Sequence, residues 1–416
     1  MALNYVWLFF FFIAFIVALW RLVFEGDTEV FSRVMTSLFD GAKNGFDLSL
    51  GLTGIMTLWL GIMKIGERAG MIDRFAKAVS PFFRRLFPSI PKDHPASGAI
   101  MMNFSANMLG LDNAATPLGL KAMQELQTIN PKKDTASDAQ IMFLVLNTAG
   151  LTIIPTSVIA MRQSIAIAQG VTHFNAADIF LPTLIVTFIS FLSGMIAAAI
   201  YQRINLFRLP ILLFVGGFAG IMAGLYFWLK QYPPNQMASY TGLLGSSIIF
   251  GIIILFLWAG VRKKLNVFET FIDGAKEGFQ VVIKIIPYLV AMLIAIAVFR
   301  ATGCMDYIVM GLGKFFAAMG MNTDFVPTLP IGLMKPMSGA GSRGLMIDVM
   351  KTYGVNSFQG KLAAIIQGGT ETTFYVLAVY FGSVGIKNTR YAIVCGLIAD
   401  VVGLIAAIIV GYLFLK

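Results

Sequence analysis

A seven-residue block, Asp40-Gly41-Ala42-Lys43-Asn44-Gly45-Phe46, returns 233 residues later as Asp273-Gly274-Ala275-Lys276-Glu277-Gly278-Phe279, with six of seven positions identical. The same offset carries Gly70-Met71-Ile72-Asp73 onto Gly303-Cys304-Met305-Asp306 without a gap. A fixed offset held over two blocks marks a duplicated chain, and the fold must then consist of two related halves.

The apolar pattern says what those halves are. Runs such as Tyr5–Trp20, Ile179–Ile200, Ile211–Leu229 and Tyr391–Leu415 approach or exceed the roughly 20 residues of a membrane-crossing helix. Charged residues make up 12% of the 416, against about 25% in soluble domains. A spanning segment must satisfy its own backbone hydrogen bonds, so helix is expected, and the alternating ten-residue segments of an outer-membrane barrel are absent. The N-terminal run has no basic residue before it and is expected to be a retained helix rather than a signal peptide.

Each half is expected to hold an apolar helix (5–24; 243–261), a second one (46–65; 279–300) and an amphipathic segment (71–87; 304–319). A short apolar stretch interrupted by polar residues (96–120; 325–347), a helix broken near its middle (139–165; 359–384) and a last apolar helix (178–201; 390–415) follow. One extra helix, 206–229, joins the halves. The corresponding units are 1–205, a linking segment 206–239, and 240–416. The short stretches carry Asn103, Asn107, Asp112, Asn113 and Pro117 in one half and Pro330, Lys335, Pro336, Ser338, Gly339 and Ser342 in the other. Irregular backbone at membrane depth is tolerated only where protein or a wet cavity covers it, so each stretch is expected to be a re-entrant hairpin. Four spans per half plus one linker is an odd number, which inverts the second half. The expected class is therefore all-α: a polytopic membrane protein with two inverted-topology repeats, each with a re-entrant hairpin and a broken transmembrane helix, a plan used by secondary transporters.

The net charge of +10 follows from Lys and Arg concentrated in loops 64–95, 121–138, 201–208, 262–278 and 386–390, which this topology puts on one side, the cytoplasm. The basic, Phe-bearing run Arg68–Lys92 is expected to lie on anionic lipid rather than on nucleic acid. Cys304 and Cys395 form neither a metal spacing nor a disulfide framework, His94 and His173 fall in loops, and no HExxH, GxSxG or P-loop pattern occurs. No enzyme, metal or cofactor is expected. Lys284 is expected to snorkel to the interface.

Chemistry is expected at the breaks. Gln367-Gly368-Gly369-Thr370-Glu371-Thr372-Thr373 combines two permissive glycines with a carboxylate that costs about 2.5–3.5 kcal/mol at the centre of a span. Glu371 is expected to bind a cation or solute; the structural alternative is a salt bridge to Lys335 or Arg343. In the first half Asn147, Thr148 and Thr152 flank a break marked by Gly150 and Pro155, where binding competes with interhelical hydrogen bonding. Asn103 and Asn107 share a helical face. Asn107 and Asn113 are solute candidates, Asp112 a helix cap. Lys335, Ser338, Ser342 and Arg343 frame a Gly/Ser turn at a helix start, which would favour an anionic group.

Residues Ala106-Asn107-Met108-Leu109-Gly110-Leu111-Asp112-Asn113-Ala114-Ala115-Thr116-Pro117 resemble spore maturation protein A. Leu333-Met334-Lys335-Pro336-Met337-Ser338-Gly339, with Gly369-Thr370-Glu371-Thr372-Thr373-Phe374-Tyr375, resemble spore maturation protein B. The chain is thus similar to a fusion of the two, over about 1–205 and 240–416, within the nucleoside-recognition or Gate group, which is similar to concentrative nucleoside transporters. That resemblance implies hairpins and broken helices holding solute and Na⁺, with Asn107, Asn147, Gln367, Glu371 and Thr372 near the site. The expected function is secondary transport of a small polar or anionic, nucleoside-like solute, coupled to Na⁺ or H⁺, in the bacterial inner membrane. Rivals are a membrane scaffold for envelope or spore maturation and a metal-ion permease, the latter disfavoured by the lack of Cys or His clusters. Membrane lipid and a second copy of the chain are the other expected partners.

Overall fold

The computed structural model describes residues 2–91, 94–110, 112–172 and 174–416, with backbone alone at 2, 3, 112–114, 234, 235 and 238. His173 and Lys92 lie outside the described residues. The chain is all-α. Among the described residues, the one strand-like pairing is a single bridge between Thr135 and Asn388.

The first half runs α1 (Ala2–Phe24), α2 (Val30–Arg68), α3 (Met71–Leu86), the pair α4 (Pro95–Met108) and α5 (Asp112–Thr128), the pair α6 (Asp138–Ala149) and α7 (Thr156–Ala168), and α8 (Phe180–Gln202). After α9 (Leu209–Leu229) the order returns: α10 (Pro234–Arg262), α11 (Val267–Ala301), α12 (Cys304–Ala318), the pair α13 (Leu329–Met334) and α14 (Gly339–Tyr353), the pair α15 (Phe358–Gly369) and α16 (Thr373–Ser383), and α17 (Ala392–Leu415).

Eight helical stretches among the described residues are long and apolar enough to cross a membrane: α1, α2, α8, α9, α10, α11, the α15–α16 pair and α17. Large side chains such as Phe12 (63% exposed) and Leu213 (66%) stand outward on them, as lipid-facing residues do. Nine spans follow from the sequence; the α6–α7 pair is not among the eight, because residues 150–155 divide it into helices of 12 and 13 residues. Lys284 is exposed, on α11.

The repeated block packs the halves together. Gly41 and Gly45 of α2, and Gly274 and Gly278 of α11, lie where backbones touch. A Cβ at Gly41 would meet Ile294 Cα at 3.2 Å, and one at Gly274 would meet the Leu60 carbonyl oxygen at 2.4 Å. At Gly45 it would meet Val290 Cα at 2.9 Å, and at Gly278 the Met56 carbonyl oxygen at 2.8 Å. The neighbours of Gly41 (Leu293, Ile294, Ala297) and those of Gly274 (Leu60, Gly61, Lys64) are themselves 233 apart. Hence α2 and α11 pack antiparallel about a local two-fold axis, with small residues four apart allowing the close approach.

α4 and α5 form a helical hairpin. At 1.5 Å per residue their 14 and 17 residues reach about 21 and 26 Å, short of a hydrocarbon core of about 30 Å. The two open ends lie side by side, with Thr128 Oγ1 3.4 Å from His94 Nε2. His94 also caps α4, its Nδ1 accepting from the Ala96 N–H at 3.2 Å. In the second half α13 and α14, of 6 and 15 residues, make the equivalent turn.

Candidate functional site

Both interrupted helices break for local reasons. α6 starts on a capping box between Ser137 and Gln140 and stops at Gly150, which adopts φ +54°, a left-handed conformation that glycine enters at little cost. The chain runs on irregularly to Pro155 before α7. α15 starts on the Ser357 cap and stops at Gly369; Thr370 (φ −145°, ψ 171°) and Thr372 (φ −82°, ψ 98°) are extended before α16. The start of α6 lies against the entry to α17, through Arg390 Nη1 to Asp138 Oδ1 at 2.8 Å. The end of α7 lies against the start of α15: Asp178 takes Arg162 at 2.5 Å on one oxygen and Lys361 at 2.7 Å on the other. The two broken rods therefore run antiparallel and cross at their breaks.

At the crossing the Glu371 N–H donates to the Thr148 carbonyl at 2.9 Å. Each hairpin tip is tied to the broken helix of its own half: Ile153 N–H to Met108 O at 2.8 Å, and Phe374 N–H to Pro336 O at 3.0 Å. Asn107 Nδ2 donates to Asn147 Oδ1 at 2.8 Å, and Lys335 Nζ to Gln367 O at 2.8 Å. Four unwound segments thus meet at one place.

A cavity of about 220 Å³ opens there. Asn107, Asn147, Thr152, Lys335, Arg343, Gln367 and Glu371 all line it, joined by Tyr375 and Tyr380. An adjoining cavity of about 240 Å³, shared through Thr116, Thr156 and Arg343, is walled by apolar groups of α2 and α11, among them Trp59 and Leu289. The Glu371 side chain is exposed and lines the cavity together with Lys335 and Arg343. Gln367 Oε1 is buried and has no hydrogen-bond partner among the described residues.

The other candidates sit behind this lining. Asn103 is buried and donates to Ala115 O at 2.7 Å; Thr148 Oγ1 donates to Leu144 O at 3.0 Å. Ser338 caps α14, its Oγ accepting from Gly341 N–H at 2.9 Å, and Ser342 Oγ donates to Gly339 O at 3.2 Å, so the Gly/Ser turn is internally bonded. Thr370 and Thr372 are buried in the second break, and Thr373 Oγ1 donates to Asp400 Oδ2. Asn113 falls in α5 and its side chain lies outside the described part.

Sequence reasoning passed over Asp400. It stands in α17, 7% exposed, with Oδ1 unpartnered among the described residues. Its signal was available: it is the one carboxylate within the apolar run of α17. Tyr375 and Tyr380 were also missed as lining. Among the described residues no group of three His, Cys, Asp or Glu could hold a metal ion.

The fold and the cavity define a polytopic helical membrane protein whose two related halves each lend a hairpin tip and a helix break to one polar site. The chain belongs to the Gate family, described as nucleoside recognition, which matches residues 49–164 and 282–387, more than half of its length. The two matched stretches start 233 residues apart, the offset of the repeat, and each spans a hairpin and a broken helix. The chain is similar to spore maturation protein B of Bacillus subtilis (strain 168), with 42% identity over 175 residues, 42% of this chain and 95% of the relative. It is also similar to spore maturation protein A of the same organism, with 41% identity over 175 residues, 42% of this chain and 86% of the relative. The resemblance to a fused form of the two holds.

Proposed function

We propose that this protein is a secondary transporter of a small polar or anionic, nucleoside-like solute, driven by Na⁺ or H⁺ across a bacterial inner membrane. The observation that supports this most is that a cavity-exposed Glu371 carboxylate and a Gln367 Oε1 with no hydrogen-bond partner among the described residues lie at the joint between the two broken helices. Unmet polar groups at membrane depth are costly and are retained where they serve a ligand or an ion. Asn107, Asn147, Thr152 and Gln367 supply the donors and acceptors that a base or a ribose needs. Tyr375, 60% exposed, supplies a face on which a base can stack, for about 1–3 kcal/mol. Lys335 and Arg343 suit an anionic group. The volume, below the roughly 300–1,000 Å³ of drug-sized pockets, restricts the solute to a small one.

No enzymatic step is part of this reading. The names of the two relatives favour a second one, a non-transporting scaffold in envelope or spore maturation, because they state a process and no solute. A scaffold would keep its buried polar groups saturated by one another. Thermal-shift screening of the purified chain with nucleosides, nucleotides, peptides and dicarboxylates, with and without Na⁺, separates the two. A hit should be taken up into proteoliposomes by the wild type and not by Glu371→Gln, with expression and melting of the variant retained. A screen without hits, or uptake unchanged in that variant, sinks the transport mechanism stated here.

A further inference from the structure

A carboxylate with an empty oxygen deep among helices needs a countercharge or a proton, since burying an isolated anion is among the costliest things a fold can do. Asp400 is such a group. It sits midway along α17 with Oδ2 accepting from Thr373 Oγ1 and Oδ1 buried and without a hydrogen-bond partner among the described residues. Thr370 lies beside it, its methyl 2.9 Å from where a Cβ on Gly403, one turn along, would stand. Thr370 and Thr373 bracket the second break, so Asp400 is held by the same unwound segment that carries Glu371 into the cavity.

The contacts shown for Asp400 among the described residues are hydroxyl groups, those of Thr373 and Thr370. The ionisable groups of the helices packed on α17 include Asp138 of α6, Tyr201 of α8, Tyr226 of α9, Tyr240 and Arg262 of α10, Lys361 of α15, and Tyr375 and Tyr380 of α16. None is ion-paired or hydrogen-bonded to Asp400 among the described residues. On the facing side of α8, Ser190 donates its hydroxyl to Ala399 O at 3.0 Å, one residue before Asp400. Lys335 and Glu371 are the charged side chains of the cavity whose fields reach it.

From this geometry we infer that Asp400 is the binding site of the driving ion, a neutralising monovalent cation, H⁺ or Na⁺, taken up on Oδ1 beside the Thr370 and Thr373 hydroxyls. The inference rests on the transport reading for its purpose, though not for its test. It also gives a reason for coupling. At formal charges Lys335, Arg343, Glu371 and Asp400 sum to zero around the two breaks; neutralising Asp400 leaves one positive charge at the cavity, the complement of a singly anionic solute group. Ion and solute then favour each other without touching, which is coupling through a shared charge balance.

The test reads ion binding on the full-length chain in detergent. The first arm compares melting in NaCl and in choline chloride at equal ionic strength. The second records the infrared difference spectrum between acidic and alkaline buffer for the carbonyl band of a protonated carboxyl. If the ion is Na⁺, NaCl raises Tm by a few degrees in the wild type and in Glu371→Gln, and the rise is lost in Asp400→Asn. If it is H⁺, one component of the carboxyl band is common to the wild type and Glu371→Gln and is lost in Asp400→Asn, while the other acidic residues keep theirs, and NaCl has no selective effect. Either result supports the assignment and names the ion. A wild type that shows neither signal, or signals that survive in Asp400→Asn, overturns it. Should Asp400→Asn fail to fold, Thr373→Val keeps the carboxylate and removes its donor; the midpoint of whichever signal is present must then move, and an unmoved midpoint overturns the proposal. A chain that binds the ion at Asp400 yet carries no solute would refute the transport reading and leave the ion site standing.

Discussion

Glu371 and Thr148 meet backbone to backbone: the N–H of the first donates to the carbonyl of the second at 2.9 Å, and this bond is where the interrupted helix of one half touches that of the other. Both groups are available because their helices stop there. In an unbroken helix each would be spent on an i to i+4 bond.

Gly150 faces the same joint. It holds φ +54°, and a Cβ there would lie 3.1 Å from Glu371 Cγ. Gly150→Ala should therefore cost about 1–2 kcal/mol from the left-handed backbone alone and displace the Glu371 side chain as well. The expected outcome is a lower Tm together with weaker binding of any solute hit. Ala at a helical glycine with open surroundings, such as Gly216, should lower neither.

The two-fold contact of α2 and α11 is not equally tight at its two copies. Ala at Gly274 would press a Cβ to 2.4 Å from a backbone oxygen, whereas Ala at Gly41 meets its nearest atoms at 3.1–3.2 Å. Gly274→Ala should destabilise by roughly 1–3 kcal/mol and more than Gly41→Ala, in the manner of overpacking. Melting of the two variants side by side checks the order; equal melting would remove the close approach as an explanation for the repeated block.

Asp178 bridges a fully buried Arg162 and Lys361, holding the end of one broken rod to the start of the other. Asp178→Asn leaves two cations without their anion and should cost about 3–5 kcal/mol. Arg162→Met should cost less, because it removes one buried charge and leaves Asp178 paired with Lys361. Thermal unfolding of the two variants ranks them, and the reverse order would contradict the bridge.

Single cysteines at Lys77 and Lys132 should label from the same face of the membrane, since the α4–α5 hairpin opens and closes at His94 and Thr128. The native thiols should add little background. Cys304 and Cys395 are both buried, and burial pushes the Cys304 thiol above its usual range, which lowers its thiolate fraction. Labelling from opposite faces would turn the hairpin into a span.

What could be read along the chain is what the chain encodes locally. Apolar runs long enough for a bilayer, the 233-residue duplication, and the breaks at Gly150–Pro155 and Gly368–Thr370 depend on hydropathy and on φ, which act within a few residues. Which polar groups face the cavity depends on rotation about a helix axis, and that is set by packing between segments far apart. Asn147 looks into the cavity while its neighbour Thr148 turns its hydroxyl back to Leu144 and offers its carbonyl across to Glu371. Glu371 faces the cavity and Thr373, two residues on, reaches Asp400, 27 positions away. Asp400 could be seen in the sequence as a carboxylate among apolar residues; that it stands behind the second break, with one oxygen left open, was decided only when α17 packed against α15 and α16.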